Sequence, residues 1–374
     1  MTNFFLSCAK GTEHVLLGEL ESFGAQKLKE GPGGVYCSHP DPLFYYRLNL
    51  QTRIAFRVFI PLAHFPAKNE NELYRKTKEI DWSNYLDVSQ TFAVQANCKS
   101  SFLTHSKYLA LKVKDAVCDQ FRERCGKRPS IDVNEPDLAL NVFLNKNECT
   151  ISLDSTGYSL HKRGYRISGK EAPLMETLAA TLIKLSGWTA DLPFYDLMCG
   201  SGTFSTEASL IARQISPAKL NGNFNFKRWP DFNEEKFSQV EHEIESNELT
   251  EFPLIYLNDI NKENVLIAKR HLYKVGQTTS IHISQNDILE FKPETDKGYL
   301  ILNPPYGIRL GDAEKIKSFY TQLNEKLKTD FRGFTMCILS TEESHLREIR
   351  MSPRKIYTVY NANLKCKFAI FDVF

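Results

Sequence analysis

Asn303-Pro304-Pro305-Tyr306 follows directly on an apolar run, Tyr299 to Leu302, that reads as a β-strand. A tetrapeptide at the carboxyl end of a strand stands where open α/β sheets gather their chemistry. Its residue types suit one task. An exocyclic amine on a base is a poor nucleophile, because its lone pair is delocalised into the ring. Two acceptors aimed at the amine hydrogens draw the nitrogen towards sp³ and direct the pair outward; the Asn303 amide oxygen and the Pro304 carbonyl can supply them. Pro304 and Pro305 fix φ and bring no competing donor, and Tyr306 can stack on a base that has left its helix or loop. Taken by itself the tetrapeptide would also serve as a plain turn.

Upstream, Asp196-Leu197-Met198-Cys199-Gly200-Ser201-Gly202-Thr203 leaves an apolar strand and opens a helix. In that setting glycines let the backbone approach a ligand. A dinucleotide fingerprint wants a third glycine at position 205 and an acid about 20 residues further on. Ser205 stands there and the next strand-end acid is Asp259, which disfavours NAD. S-adenosylmethionine fits the pattern. Gly200 and Gly202 would admit its amino-acid part and ribose, Asp259 would bond the ribose hydroxyls, and Asp287 would accept from the adenine amine. Asp196, Met198, Cys199, Ser201, Thr203, Ile260, Ile288 and Asn303 complete the candidate cofactor contacts. The competing reading is a glycine turn that only reverses a strand. Cys199 has no histidine nearby in sequence and reads as a packing residue, not a nucleophile. Methyl transfer from a sulfonium needs orientation rather than a metal or general base, and the nine histidines show no ligand spacing and read as structural.

These residues need a frame. From Glu176 onward helices and strands alternate: Glu176 to Ser186, Phe194 to Met198, Thr203 to Gln214, Leu254 to Leu257, Lys262 to Val275, Ser280 to Ser284, Leu300 to Leu302, Glu314 to Lys328 and Thr335 to Leu339. That order implies a parallel sheet with helices on both faces. Ile356 to Tyr360 and Cys366 to Phe371, joined by a short turn, read as a closing antiparallel hairpin. The region up to about Ser155 has the texture of an α+β domain, with strands at Phe4 to Cys8, Gly34 to Cys37, Arg53 to Pro61, Thr91 to Asn97, Leu138 to Leu144 and Cys149 to Leu153. Helix Ser106 to Cys125 sets Leu109, Val113, Ala116, Val117 and Phe121 on one face. Asp154 to Gly169 is the linker.

At 374 residues, 42% hydrophobic and 25% charged, the chain can bury more than one core. It shows neither a leader-like start nor an apolar run of about 18 residues, so a cytoplasmic protein without a membrane partner is expected. Nine scattered cysteines, with no Cys-x-x-Cys spacing, argue against a disulfide framework or zinc site. A formal charge of +2 does not itself call for a polyanion; local clusters must. The run Tyr158 to Arg166 packs Lys162, Arg163 and Arg166 with Tyr158 and Tyr165, an arrangement for phosphate contact and stacking or else a solvated connector. Lys107 and Lys112 lie on the polar side of their helix and are further candidate RNA contacts. Asn221 to Pro230 forms an aromatic and basic insertion in which Phe226 and Trp229 either wall a base pocket or simply pack.

Taken with Leu153-Asp154-Ser155-Thr156-Gly157, His161 to Arg166, Ala172-Pro173-Leu174-Met175-Glu176-Thr177 and Arg309-Leu310-Gly311, these motifs resemble THUMP-domain RNA methyltransferases over nearly the whole chain, most closely the guanine-N2 enzymes of large-subunit rRNA. The resemblance implies an N-terminal RNA-binding region over 1–165, made of a ferredoxin-like piece and a THUMP domain at about 44–156, then a Rossmann-like methyltransferase domain over 166–374. It implies S-adenosylmethionine as cofactor, 23S rRNA as partner, and Pro173, Leu174 and Glu176 beside the cofactor's amino-acid end. A second catalytic domain, present in some relatives, is not expected in this chain, which stops at Phe374. Transfer-RNA guanine-N2 and adenine-N6 methylation remain alternatives, as does a non-catalytic RNA-binding or assembly module, which would predict a damaged turn or tetrapeptide.

Overall fold

In the strand around Leu138, Leu140, Val142 and Leu144, each of these residues is buried and each residue between them is half-buried. That period of two marks a strand with one face on a core. A computed structural model describes residues 1–167, 174–277, 279–304, 313–341 and 346–374, with the side chains of 313–316 set aside. In chain order its elements begin with β1 (Thr2–Ser7), α1 (Glu13–Ser22), β2 (Gln26–Gly31), β3 (Gly34–His39), α2 (Tyr45–Gln51), β4 (Arg57–Pro66), α3 (Glu70–Lys78), β5 (Thr91–Lys99), α4 (Ser106–Cys125), β6 (Ser130–Ile131), β7 (Leu138–Asn145) and β8 (Glu148–Asp154). They continue with α5 (Glu176–Ser186), β9 (Phe194–Asp196), α6 (Thr203–Ala212), α7 (Glu234–Glu245), β10 (Ile255–Asn258), α8 (Lys262–Lys274), β11 (Ile281–Ser284), β12 (Tyr299–Leu302), α9 (Ala313–Asp330), β13 (Thr335–Thr341), β14 (Lys355–Asn361) and β15 (Leu364–Asp372).

The described residues cluster into two units. One comprises Met1–Cys8, Leu20–Leu160 and Gly222–Glu241; the other comprises Ala9–Glu19, His161–Asn221 and His242–Phe374.

The first unit is an eight-stranded sheet in the order β2-β3-β1-β4-β8-β7-β5-β6. Helix α4 buries Leu109, Val113, Ala116, Val117 and Phe121, the face its periodicity predicts, and ends on Gly126 in a left-handed conformation. The Asp154 to Gly157 motif closes the sheet: the Asp154 carboxylate pairs with Arg57 and accepts from the amides of Thr156 and Gly157 at 3.1 and 3.0 Å. The 221–230 insertion joins this unit from Gly222 on, and this corrects the reading of Phe226 and Trp229 as walls of a base pocket. Phe226 is fully buried against Tyr45, Tyr46, Phe232 and Phe237, with ring centroids 4.9 to 5.9 Å away. Trp229 packs on Tyr45 and donates its indole N–H to Asn225 at 3.1 Å. Rings enclosed in this way have no face left for a base.

The second unit is a seven-stranded sheet, β11-β10-β9-β12-β13-β15-β14. It is parallel from β11 to β13 and antiparallel at β15 and β14, the Rossmann-like sheet with closing hairpin that the sequence predicts. Successive residues of its strands enter different cores. Phe194, Ile255, Ile301 and Cys337 pack with α5 and α6, whereas Tyr195, Tyr256, Leu300 and Met336 pack with α9. Burial of both faces explains why these strands read as continuous apolar runs rather than as alternation.

Removing the Phe226 ring leaves a cavity that its rigid aromatic neighbours cannot fill. Phe226→Ala is expected to lower the stability of the first unit by about 3–5 kcal/mol, read as a lower urea midpoint; an unchanged midpoint would show that the insertion is not part of that core.

Candidate active site

The chain runs from β9 outward to β10 and β11, then returns to β12 on the other side of β9. Where strand order reverses, the loops leaving adjacent strands diverge and open a crevice at the carboxyl edge. Asp196 pairs in register with Leu257 on one side and Ile301 on the other. Two residues beyond that row lie Met198, Asp259 and Asn303. The sheet therefore brings the glycine turn, the first strand-end acid and the start of the tetrapeptide to one edge. Asp287 follows β11, three residues beyond Ser284, which pairs with Asn258.

Each part of the turn is held from outside. Gly200 and Gly202 adopt positive φ, +52° and +72°, a region that other residues enter only with strain. A Cβ at Gly202 would lie 2.5 Å from the Ala268 methyl, so α8 is seated directly against it. The Gly200 amide donates to Asp259 Oδ2 at 2.8 Å and the Cys199 amide to the Asn258 carbonyl at 3.0 Å. Asp259 Oδ1 accepts from the Asn261 amide and from Asn264 Nδ2, at 2.8 and 3.2 Å. Gly202 caps α6, whose first turn buries Thr203, Ser205 and Thr206.

Asp196 is buried under this turn, and its Oδ2 accepts from both the amide and the hydroxyl of Ser205, at 3.1 and 2.7 Å. Among the described residues its Oδ1 has no partner. Burial pushes the carboxyl up to about 7, with nearby Asp259 adding to the rise and Ser205 opposing it. Burial first, then Asp196 and Asp259, hold the Cys199 thiol well above its ordinary range, which fits packing and not nucleophilic attack. Ile288 is buried, while Ile260 is two-thirds exposed. Asp287 is half-buried and its Oδ1 accepts from the Leu289 amide at 2.9 Å. Pro304 is buried and Asn303 half-buried. Pro173, Pro305 and Tyr306 lie outside the described residues.

Two of the three linker cations, Arg163 and Arg166, are placed differently from the RNA-contact reading. Arg163 is buried with its guanidinium 3.5 Å from Glu207, a carboxylate that also accepts from Tyr165 at 3.2 Å. Arg166 pairs with Glu176, donates to the Leu174 carbonyl and reaches Thr203 Oγ1 at 3.3 Å. Buried charge must be matched, so Arg163 serves the fold and cannot meet phosphate. Arg166 thus ties the linker to Glu176 at the start of α5 and to Thr203 at the start of α6. In the first unit, Lys112 faces Glu70 at 3.4 Å and the Tyr108 ring at 5.4 Å, while Lys107, and in the second unit Lys162, are exposed.

Two site residues escaped sequence reading. Asn258, fully buried, binds together the segments that follow β9 and end β11: its Nδ2 donates to the Leu197 and Asn286 carbonyls at 3.2 and 2.9 Å, and its Oδ1 accepts from Ser284 Oγ and the Asn286 amide at 2.8 and 2.9 Å. An amide at the end of an otherwise apolar strand was the available signal. His271, read only as structural, lies 2.9 Å from the Ser201 carbonyl through Nδ1; nothing local in sequence marks it.

Among the described residues no helix is long and apolar enough to cross a membrane. Residues 163–370 match the RMKL-like methyltransferase domain, residues 67–154 the THUMP domain and residues 3–59 the RlmL ferredoxin-like domain. A Synechocystis protein provisionally named an RNA methyltransferase is 36% identical over 99% of this chain and 97% of its own. A ribosomal RNA large subunit methyltransferase K/L from Shewanella frigidimarina is 34% identical over 100% of this chain but 53% of its own, so the chain spans about half the length of that relative. A crystal structure of a candidate methyltransferase complexed with SAH superposes with a TM-score of 0.91 at 30% identity, covering 100% of this chain and 98% of that one. With one family model spanning over half its residues and one relative alike across almost its entire length, the chain belongs to the RMKL-like methyltransferase family, and within it the RlmL ferredoxin-like and THUMP matches precede the methyltransferase domain.

Proposed function

We propose that the chain is an S-adenosylmethionine-dependent RNA methyltransferase that acts in the cytoplasm on N2 of guanine in 23S rRNA. In this reading residues 1–165 hold RNA and residues 166–374 carry the chemistry. The observation that carries it is the convergence, at the reversal in strand order, of the Gly200–Gly202 turn, Asp259 and the Asn303-Pro304 pair. The ribosomal target is supported by the K/L relatives, and the cofactor by the SAH complex of the similar structure.

The residues fit that cofactor. A Cβ on Gly200 would meet nothing within 4 Å, so the turn faces open space. Three protein donors occupy Asp259, and a carboxylate takes about four, which leaves room for a ribose hydroxyl. S-adenosylmethionine, when bound, supplies an electrophilic sulfonium methyl. Asn303 and Pro304 accept the two amine hydrogens of the base and aim its lone pair. Tyr306 stacks on the ring. Orientation of this kind lowers the barrier without a general base.

Nucleosides from RNA incubated with the full chain and labelled S-adenosylmethionine, separated by mass spectrometry, are expected to contain N2-methylguanosine from 23S rRNA. N6-methyladenosine, or label confined to transfer RNA, would overturn the substrate and keep the chemistry. A cofactor bound without any methyl transfer would favour an assembly module.

Two substitutions separate binding from turnover. Asn303→Ala should lower turnover by about 100-fold or more while cofactor affinity stays within about twofold, since one acceptor aimed at the reacting group is lost. Asp259→Ala should weaken cofactor affinity by about tenfold or more, because it removes both a ligand acceptor and the anchor of Gly200. Undiminished methylation in the first, or unchanged calorimetric affinity in the second, would remove the role assigned.

Asp196 gives a dependence on pH. Its pKa in the fold, about 7, lies above the ordinary 3.8, so folding favours the protonated form. That contribution to stability is complete below about pH 4 and is lost as pH rises towards 7. Asp196→Asn cannot ionise, and its stability relative to wild type should increase from about pH 5 to pH 8. Denaturation midpoints at the two pH values check this; a constant difference would mean that the carboxyl titrates normally.

A further inference from the structure

The glycine turn has a polar support on α8 that the methyl-transfer reading leaves unused. His271 is buried, one helical turn beyond Ala268, the residue that meets Gly202. Its Nδ1 lies 2.9 Å from the Ser201 carbonyl, and its Nε2 lies 3.2 Å from the Ile167 amide. A carbonyl only accepts and an amide N–H only donates. Both bonds therefore require one state of the ring, the neutral imidazole with its proton on Nδ1. A proton on Nε2 would set N–H against N–H and break the tie to Ile167.

We infer that His271 is a positioning residue for the cofactor: in its neutral Nδ1–H form it fixes the Ser201 carbonyl, and with it the Gly200 to Gly202 backbone, while holding the linker at Ile167. The inference rests on the reading of that turn as the cofactor site. Ser201 lies between the two glycines of positive φ, so a bond to its carbonyl constrains the peptide planes on either side. Ile167 follows Arg166, which reaches Thr203 and Glu176; the ring thus joins the two segments that flank the start of α6. Tyr165 lies 5.5 Å away by ring centroids. Burial, the largest effect, lowers the ring's pKa from 6.5; the Ser201 carbonyl opposes that fall, while Arg166 from the linker and Lys274 from its own helix add to it.

Three variants divide the two bonds. His271→Asn sets an amide nitrogen near the Nδ1 position and keeps a donor for Ser201; His271→Gln sets an amide oxygen near the Nε2 position and keeps an acceptor for Ile167; His271→Phe loses both. With SAH as the calorimetric ligand and the full chain, Gln and Phe should bind about tenfold more weakly, one uncompensated hydrogen bond, and Asn should recover most of the affinity. Thermal midpoints are recorded in parallel, and a purely structural role would lower the midpoints while leaving the affinities of the folded fraction equal. Equal affinity of the Gln variant and wild type, or an Asn variant that binds as weakly as Phe, overturns the inference alone. A wild-type chain that binds no SAH overturns the cofactor reading and the inference with it.

Discussion

A turn that carries glycines of positive φ at two of three consecutive positions has little preference for its own conformation, because those residues are the ones that lose most freedom on folding. The Gly200 to Gly202 segment is held by groups it does not contain: the Asp259 carboxylate on the Gly200 amide, the Asn258 carbonyl on the Cys199 amide, Ala268 against Gly202 and His271 at Ser201. All four lie on β10, the residue after it, or α8. The neighbouring strand and its following helix therefore shape the turn that leaves β9, and the ligand-facing edge forms only when both βα segments are in place.

This arrangement places polar and charged groups in the interior. Asp196, Glu207, Arg163, Asn258 and His271 are all buried in the second unit, where an unmatched polar atom costs about 1–3 kcal/mol. Most are satisfied within a short radius. Asn258 uses both ends of its amide on the segments that follow β9 and end β11, and Glu207 meets Arg163 and Tyr165. Asp196 Oδ1 is an exception with no hydrogen-bond partner among the described residues, and burial raises its carboxyl's pKa. Such networks add little net stability compared with apolar packing, but they admit few alternative geometries, and orientation is what a methyl transfer without a general base requires.

Elements whose signal is local were legible in the sequence. The apolar face of α4 and the strands of the closing hairpin stand within two residues of where periodicity places them. β2 was not legible, because Gln-Lys-Leu-Lys-Glu-Gly is an edge strand with no buried residue and hence no alternation. α7 was missed because it follows directly on the aromatic insertion and is dominated by acidic side chains. The ends of β9, β10 and β12 were legible because an acid or an Asn-Pro-Pro sequence after an apolar run has few other uses. Fates of the linker cations were not, since their partners Glu176 and Glu207 lie 10 and more than 40 residues away, and a charge run looks the same whether it meets phosphate or carboxylate.

The linker itself changes meaning once its pairs are known. Residues between two domains are commonly solvated connectors, yet Arg163 and Tyr165 are as buried as core residues and Arg166 closes onto the start of α6. A segment held by a buried ion pair, a buried phenol and an imidazole is part of the catalytic unit's framework. In the proposed reading, phosphate contact would fall instead to exposed residues such as Lys162 or Lys107 and to contacts that do not depend on charge. For a chain with a formal charge of only +2, recognition through shape and the stacking of an unpaired base is consistent with that placement, because RNA helices expose little sequence information to simple electrostatic attraction.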